Sequence, residues 1–259
     1  MNLLFSIYRP IPEFKKFSWK GAWKQKIKES GEKLVPLSLV PEKILVRPQY
    51  YLQNIKGSLP ECYTRNGNLT RLVNVAKKLP SGYKLLIFDA WRSEAIQLDI
   101  YDKYYQKLKK KMPGKEESKL KELTEKFVAL PSNDPQSPSP HITGGSIDLT
   151  IVDDRGKMLD MGTGFDEMNK KTYTLYYEKL LANGKELGTR KEKILNNRRL
   201  LYNVMSSEGF TNYPNEWWHF DYGNQVWAFM KDNGNPAIYG RTFPFLGTWL
   251  GASELWPLT

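Results

Sequence analysis

The stretch His141-Ile142-Thr143-Gly144-Gly145-Ser146-Ile147-Asp148-Leu149-Thr150-Ile151-Val152 decides the fold of this 259-residue chain. From Ser146 onward, polar or small residues alternate with apolar ones. This alternation predicts a half-buried β-strand, because successive side chains of a strand point to opposite faces of the sheet. Asp148 is then displayed on the polar face. The glycine pair before the strand allows the chain to bend, so that His141 and Asp148 can converge.

The segments around this strand indicate an α+β fold. Tyr83–Asp89 is a nearly continuous apolar run, typical of a buried central strand. Lys157–Met161 is expected to return along Ser146–Val152 as a hairpin. Helices are predicted at about 68–78, 93–111, 116–130 and 191–207, and further strands at about 43–46 and 217–222. Because these elements follow one another irregularly, we expect a single domain with a central, mainly antiparallel sheet flanked by helices.

Composition and charge exclude several classes of protein. With 40% apolar and 13% aromatic residues, the chain can bury a substantial core, which argues against intrinsic disorder. The only cysteine, Cys62, cannot form an intramolecular disulfide and is expected to be a buried thiol. The net charge of +11 is carried in part by lysines within 103–126, where glutamates alternate with them. This pattern favours a solvated helix face over a nucleic-acid-binding surface.

The sequence also predicts the cellular compartment of the protein. No stretch approaches the roughly 18 apolar residues that a membrane span needs. The first apolar run ends at Arg9, which is too early for an export signal. We therefore expect a soluble protein in the cytoplasm, or in the periplasm if a leader has been removed. The oligomeric state stays open.

The chain contains two histidines, His141 and His219, and each has a carboxylate close in sequence. Two imidazoles and one carboxylate leave a fourth zinc position open for water, as a hydrolytic zinc site requires. The strand geometry suits Asp148 as the third ligand. Glu216, on the loop before His219, can lie beside the metal and transfer a proton. Either histidine alone is more often structural, but the combined spacing favours a metal site.

Longer segments carry a family resemblance. Ser139–Asp148 resembles the Ser-x-His-x-x-Gly-x-Ala-x-Asp signature of the D-alanyl-D-alanine metallopeptidases. Glu216-Trp217-Trp218-His219 resembles the dipeptidase branch of that family, the VanX-like enzymes. Further similar segments occur in the same order at 88–92, 161–166 and 197–210. Two departures stand out: Ser146 replaces the usual alanine, and no proline follows Arg92.

The resemblance implies a complete site. One zinc ion per chain would be held by three ligands: His141, Asp148 and His219. Glu216 would act as the general base and acid. Arg92 would hold the oxyanion, since a guanidinium offers paired donors to a developing negative charge. Three residues are expected to contact the substrate: Ser139, Trp217 and Trp218.

The expected reaction is zinc-dependent hydrolysis of D-alanyl-D-alanine or a related D,D-dipeptide. A dipeptidase must enclose both termini of its substrate, and the proline-rich stretch 131–140 and the paired tryptophans are the expected walls. A D,D-carboxypeptidase acting on peptidoglycan peptides is an alternative, although a tryptophan directly after Glu216, rather than a small residue or proline, argues against it. A non-catalytic, zinc-stabilised module that binds cell-wall peptides is another. Glu216 and Arg92 argue against that module, because a structural site needs no base.

The resemblance also suggests how the chain is divided. We expect one domain over residues 1–259, with the family-like core at residues 45–222. The proline-rich residues 1–44 would wrap around this core, and residues 223–259 would form a C-terminal extension.

Overall fold

The computed structural model of the protein describes residues 8–125, 127–132, 134–167 and 169–244. Its strands are β1 (Leu34–Pro36), β2 (Ile44–Val46), β3 (Tyr63–Arg65), β4 (Lys84–Asp89), β5 (Ser146–Val152), β6 (Thr211–Asn212) and β7 (His219–Asp221). Its α-helices are α1 (Trp19–Ala22), α2 (Gln49–Leu52), α3 (Asn66–Lys77), α4 (Glu94–Lys111), α5 (Glu117–Glu125), α6 (Tyr176–Ala182), α7 (Gly188–Ser207) and α8 (Gln225–Lys231). Short 3₁₀ helices span Leu37–Leu39, Pro140–Thr143 and Lys170–Thr172.

The main sheet has the strand order β2-β4-β5-β7-β6. β2 runs parallel to β4, and the other neighbouring strands are antiparallel. β1 and β3 form a separate antiparallel pair. α3 packs against α7, and both contribute side chains to the core that covers the sheet. The predicted α+β fold with a central, mainly antiparallel sheet is therefore confirmed.

Strand β5 lies in the middle of the sheet and is buried along its whole length. Ile147, Leu149 and Ile151 belong to the hydrophobic core, as the alternation predicted. The expectation of a half-buried strand is wrong, because the polar side chains of Asp148 and Thr150 are also buried. Asp148 faces a cavity that distant parts of the chain cover.

Several predicted elements differ at their ends. Helix α4 begins after Ser93, whose hydroxyl caps the helix by accepting a hydrogen bond from the Ile96 N–H. The helix predicted up to Leu130 ends at Glu125. The return segment after β5 makes a single bridge, Val152 to Met158, instead of a strand. The chain bends at residues 162–163, and the Asp160 side chain accepts a hydrogen bond from the Gly162 N–H.

The segment that precedes β1 docks on the C-terminal part of the described chain. Ile27 forms a β-bridge with Ala237, and Ala22 of α1 is fully buried. Helix α1 packs on α8 so closely that a Cβ on Gly21 would lie 2.4 Å from the Phe229 ring. This packing fixes the position of the aromatic side chains of α1. Within the described residues, no helix is long and apolar enough to span a membrane.

Candidate active site

Strands β5 and β7 place two of the predicted ligands side by side. Asp148 pairs with His219 across the two strands, and Asp148 Oδ1 lies 3.0 Å from His219 Nδ1. His141 extends from the 3₁₀ helix that precedes β5, and its Nε2 lies 3.2 Å from His219 Nδ1 and 3.6 Å from Asp148 Oδ2. Gly144 ends that 3₁₀ helix at a φ of 68°, a conformation that favours glycine. We call these three ligand candidates the cavity floor.

The cavity floor fits a zinc ion. Its three residues are buried, and their donor atoms all lie within 4.8 Å of one another. Tetrahedral zinc with bonds of about 2.0–2.1 Å separates its ligand atoms by about 3.3 Å. The closest separations in the floor range from 3.0 to 3.6 Å. Imidazole nitrogen and carboxylate oxygen are both common zinc donors, so these residues could hold this metal.

Each imidazole is oriented through its second nitrogen. His141 Nδ1 lies 2.6 Å from the Ala90 carbonyl oxygen, and His219 Nε2 lies 3.2 Å from both carboxylate oxygens of Asp221. Such contacts select the tautomer whose other nitrogen carries a lone pair toward a metal. The sequence analysis missed Asp221. Its signal was present, since residues two apart in a strand share a face.

Charge and burial favour the ligand-competent forms of His141 and Asp148. Burial, assisted by the positive charge of Arg92, lowers the pKa of His141 to about 3, so its imidazole stays neutral. Burial alone would raise the pKa of Asp148, but His141 and His219 lower it below its usual value. For His219, as for His141, burial favours a lower pKa. The carboxylates of Asp221 and Asp148 outweigh this effect and raise the pKa of His219 well above normal. Neutral imidazole and ionised carboxylate are the forms that bind metals, so a metal bound here would have to displace the proton that Asp221 and Asp148 favour on His219.

Glu216 lies beside the floor, as the sequence suggested. Its Oε2 is 3.9 Å from His219 Nδ1. The backbone forms a turn here, in which the His219 N–H donates to the Glu216 carbonyl, and this turn brings both side chains to the cavity. Burial raises the pKa of Glu216 to about 8, against the lowering effect of His219. A carboxyl group that titrates near neutral pH can both accept and return a proton.

Arg92 faces the cavity from the end of β4. Its Nη1 donates to Asp89 Oδ2 at 3.1 Å and to the Tyr50 hydroxyl at 3.0 Å, and its Nε donates to Gln97 Oε1 at 2.8 Å. Its Nη2 has no hydrogen-bond partner among the described residues and is the donor left for a ligand. Burial would lower the pKa of Arg92, but Tyr50 and Asp89 raise it, so the guanidinium stays charged.

Asp166 is a second cavity residue to which the sequence analysis gave no role. Its Oδ2 accepts a hydrogen bond from the Tyr50 hydroxyl at 2.9 Å, and its backbone has a φ of 55°. Burial, with the nearby charge of Asp148, raises its pKa to about 6. The signal for Asp166 was its place in the family-like segment 161–166.

The predicted substrate contacts divide into two groups. Ser139 lines the cavity, and its hydroxyl accepts a hydrogen bond from the Ser132 N–H at 2.8 Å. Trp217 and Trp218 do not line it, contrary to expectation. They are only 4% and 1% exposed, and the Trp217 Nε1 donates to Thr163 in another part of the fold. Because the turn directs Glu216 and His219 to the cavity, the two residues between them face the core.

The cavity has a volume of about 90 Å³. Other residues replace the expected tryptophans, and we call them the cavity wall: Trp19, Trp23, Phe127, Val128, Ala129 and Leu130. The rings of Trp19 and Trp23 stack with their centroids 5.1 Å apart. From the described part of the proline-rich stretch 131–140, Ser139 and Pro140 reach the cavity.

Several known proteins are similar to this chain. Residues 68–234 match the family described as D-ala-D-ala dipeptidase. The D-alanyl-D-alanine dipeptidase of Synechocystis sp. is 32% identical over 234 residues, which cover 83% of this chain and 94% of that protein. The enzyme of the same name from Enterococcus faecalis is 30% identical over 153 residues, which cover 54% of this chain and 62% of that protein. Among solved structures, a mutant of the vancomycin resistance D,D-pentapeptidase VanY in complex with Zn(II) aligns with a TM-score of 0.40 and 15% identity, over 83% of this chain and 93% of that chain.

Proposed function

Because the chain belongs to the D-alanyl-D-alanine dipeptidase family, and is thus a D,D-peptidase, we propose that it hydrolyses D-alanyl-D-alanine or a related D,D-dipeptide with one zinc ion per chain. The observation that carries the proposal is the convergence of His141, Asp148 and His219 beside Glu216 in one covered cavity. A zinc site that only stabilised the fold would be closed by four protein ligands, whereas these three donors leave one position open, with a carboxyl group beside it.

The proposed chemistry needs a proton carrier. Zinc with three protein ligands supplies a Lewis acid that polarises a carbonyl and makes water more acidic. Glu216 accepts the proton of the attacking water as the new C–O bond forms, and returns it to the nitrogen as the C–N bond breaks. Burial raises the pKa of Glu216, and the charge of a bound zinc ion would lower it again, so that the carboxylate could accept the proton and later return it. The amine therefore leaves in its neutral form, and no net proton stays on the protein.

Arg92 is the proposed partner of the carbonyl oxygen. Negative charge develops on that oxygen in the transition state, and the Nη2 of Arg92, which has no partner in the described part of the chain, can donate a hydrogen bond to it. The contacts of Arg92 with Asp89, Tyr50 and Gln97 hold the guanidinium in place before the substrate arrives. A donor that is already oriented does not have to reorganise during the reaction.

Asp166 is the proposed partner of the substrate ammonium group. It is a buried carboxyl group that lines the same cavity, and the Tyr50 hydroxyl holds one of its oxygens. A cation placed beside it would lower its raised pKa and favour the ionised form. This partner distinguishes a dipeptidase, which binds a free amino terminus, from a carboxypeptidase, which does not.

Blocking the amino terminus tests this distinction. The purified, zinc-loaded protein should hydrolyse D-Ala-D-Ala, while N-acetyl-D-Ala-D-Ala should be poorer by up to about 10⁴-fold in kcat/KM, because the acetyl group leaves Asp166 unpaired. L-Ala-L-Ala serves as the stereochemical control. Similar kcat/KM for the free and acetylated D,D-dipeptides would contradict the dipeptidase proposal and favour a D,D-carboxypeptidase.

A further inference from the structure

Ser146 and Asp221 face each other across strands β5 and β7, two pairs along from Asp148 and His219 and therefore on the same face of the sheet. The Ser146 hydroxyl donates to Asp221 Oδ1 at 2.7 Å, and both side chains are completely buried. Asn224 Nδ2 donates to the same carboxylate oxygen at 2.7 Å and to the Ser146 hydroxyl oxygen at 3.0 Å. Ser146, Asn224 and Asp221 thus form a closed hydrogen-bonded group.

This hydrogen-bonded group contacts His219, one of the three candidate metal ligands. Both carboxylate oxygens of Asp221 lie 3.2 Å from His219 Nε2, while His219 Nδ1 faces Asp148 and His141. A carboxylate with no exposure to water loses its hydration and needs protein donors in exchange. Ser146 and Asn224 are those donors. They fix the direction in which Asp221 presents its oxygens to His219.

We propose that Ser146 is a positioning residue for the metal site, and that it acts through Asp221 on His219. This inference rests on the proposed zinc function. The hydroxyl holds Asp221 so that His219 keeps its proton on Nε2 and its lone pair on Nδ1, the atom in the cavity floor. Ser146 stands where the signature that this segment resembles has alanine.

A direct contact between Ser146 and the substrate does not fit the structure. The serine is fully buried and is not among the residues that line the cavity. Its hydroxyl already donates to Asp221 and accepts from Asn224. Its effect on the reaction must therefore pass through the residues that hold His219.

Strand β5 offers a matched control for this proposal. Thr150 lies on the same face of the strand and is 1% exposed, and its hydroxyl has no hydrogen-bond partner among the described residues. Ser146→Ala and Thr150→Val therefore each remove one buried hydroxyl from the same face. Ser146→Ala adds no side-chain volume, and Thr150→Val keeps the shape of the threonine side chain.

Zinc affinity, measured by competition with a chromogenic chelator at fixed pH, tests the proposal. We expect zinc to bind about tenfold more weakly to Ser146→Ala, at the low end of the range for outer partners of a ligand. Thr150→Val should bind zinc like the unmodified protein. With Co²⁺ in place of zinc, the visible absorption bands should shift in Ser146→Ala and stay unchanged in Thr150→Val. Unchanged zinc affinity and an unchanged cobalt spectrum in Ser146→Ala would overturn the proposal.

A double-mutant cycle tests whether the effect passes through Asp221. Asp221→Asn should weaken zinc binding by up to about 100-fold, and adding Ser146→Ala should then have little further effect. A full additional tenfold loss in the double variant would show that Ser146 acts independently of Asp221. If Asp221→Asn does not fold, the cobalt comparison decides the matter. Absence of zinc binding in the unmodified protein would instead refute the proposed function.

Discussion

The cavity floor and the cavity wall are built in different ways. The floor consists of His141, Asp148 and His219, and paired strands fix the last two in register. The wall combines Trp19 and Trp23 with residues 127–130, which come from separate parts of the chain and meet only in the folded protein. The floor supplies donors within 3.0–3.6 Å of one another, whereas the wall supplies mainly apolar surface. Changes in the floor should therefore alter metal binding, and changes in the wall should alter substrate binding.

Substitution of a cavity-floor residue is expected to cause the largest loss of zinc binding and activity. His219→Ala removes one of the three proposed ligands and leaves Asp148 and Asp221 buried without their shared partner. We expect loss of stoichiometric zinc and of measurable D-Ala-D-Ala hydrolysis, checked by metal analysis of the purified protein. Trp19→Ala, from the wall, serves as the comparison and should keep its zinc. Full zinc occupancy in His219→Ala would remove His219 from the ligand set.

Glu216 should behave differently from the ligands although it lies beside them. Glu216→Gln keeps the shape of the side chain but cannot accept the proton, so turnover should fall by about 10²- to 10⁴-fold. Zinc content should stay the same. A variant that lost its zinc but regained activity in zinc-supplemented buffer would show that Glu216 is a ligand and not a proton carrier.

Arg92 lines the same cavity as the floor and the wall and should affect kcat more than KM. Loss of a donor to a developing oxyanion costs on the order of 10²- to 10³-fold in rate, so Arg92→Ala should lower kcat at unchanged zinc content. Arg92→Lys keeps the charge but not the planar fork and should recover only part of the rate. Normal kcat with a raised KM would assign Arg92 to binding of the substrate carboxylate.

The floor residues could be predicted because their residue types and short-range spacing are visible in the sequence, although the strand pairing that brings His219 to Asp148 joins residues 71 positions apart. Alternation along Ser146–Val152 sets the face on which Asp148 lies, and Glu-x-x-His needs only one turn to bring both side chains together. The same turn explains the error at Trp217 and Trp218. Spacing showed that they adjoin Glu216 but not that they face the core. Asp221 could have been found, because it lies two residues beyond His219 in a strand.

The wall could not be predicted because its position depends on tertiary contacts. Helix α1 has only four residues, too few for a periodic apolar pattern. Its place is set by packing on α8 and by the bridge between Ile27 and Ala237, which joins distant parts of the chain. Residues 127–130 were expected to be helical, although they follow the end of α5.

Substitution of a cavity-wall residue is expected to cause the smallest loss of activity. Such a variant tests whether the stacked tryptophans shape the substrate site. Trp23→Ala should lower kcat/KM for D-Ala-D-Ala by about tenfold, mainly through KM, because lost apolar contact in a pocket is worth roughly 1–3 kcal/mol. Zinc affinity should not change, since neither indole touches the floor residues at hydrogen-bonding distance within the described structure. Phe14→Ala is the matched control, because Phe14 belongs to the same segment but packs on Tyr202 and does not line the cavity. Equal losses in both variants would mean that the segment stabilises the fold without contacting the substrate. A lowered zinc affinity in Trp23→Ala alone would show that wall and floor are energetically coupled, and the distinction between them would fail.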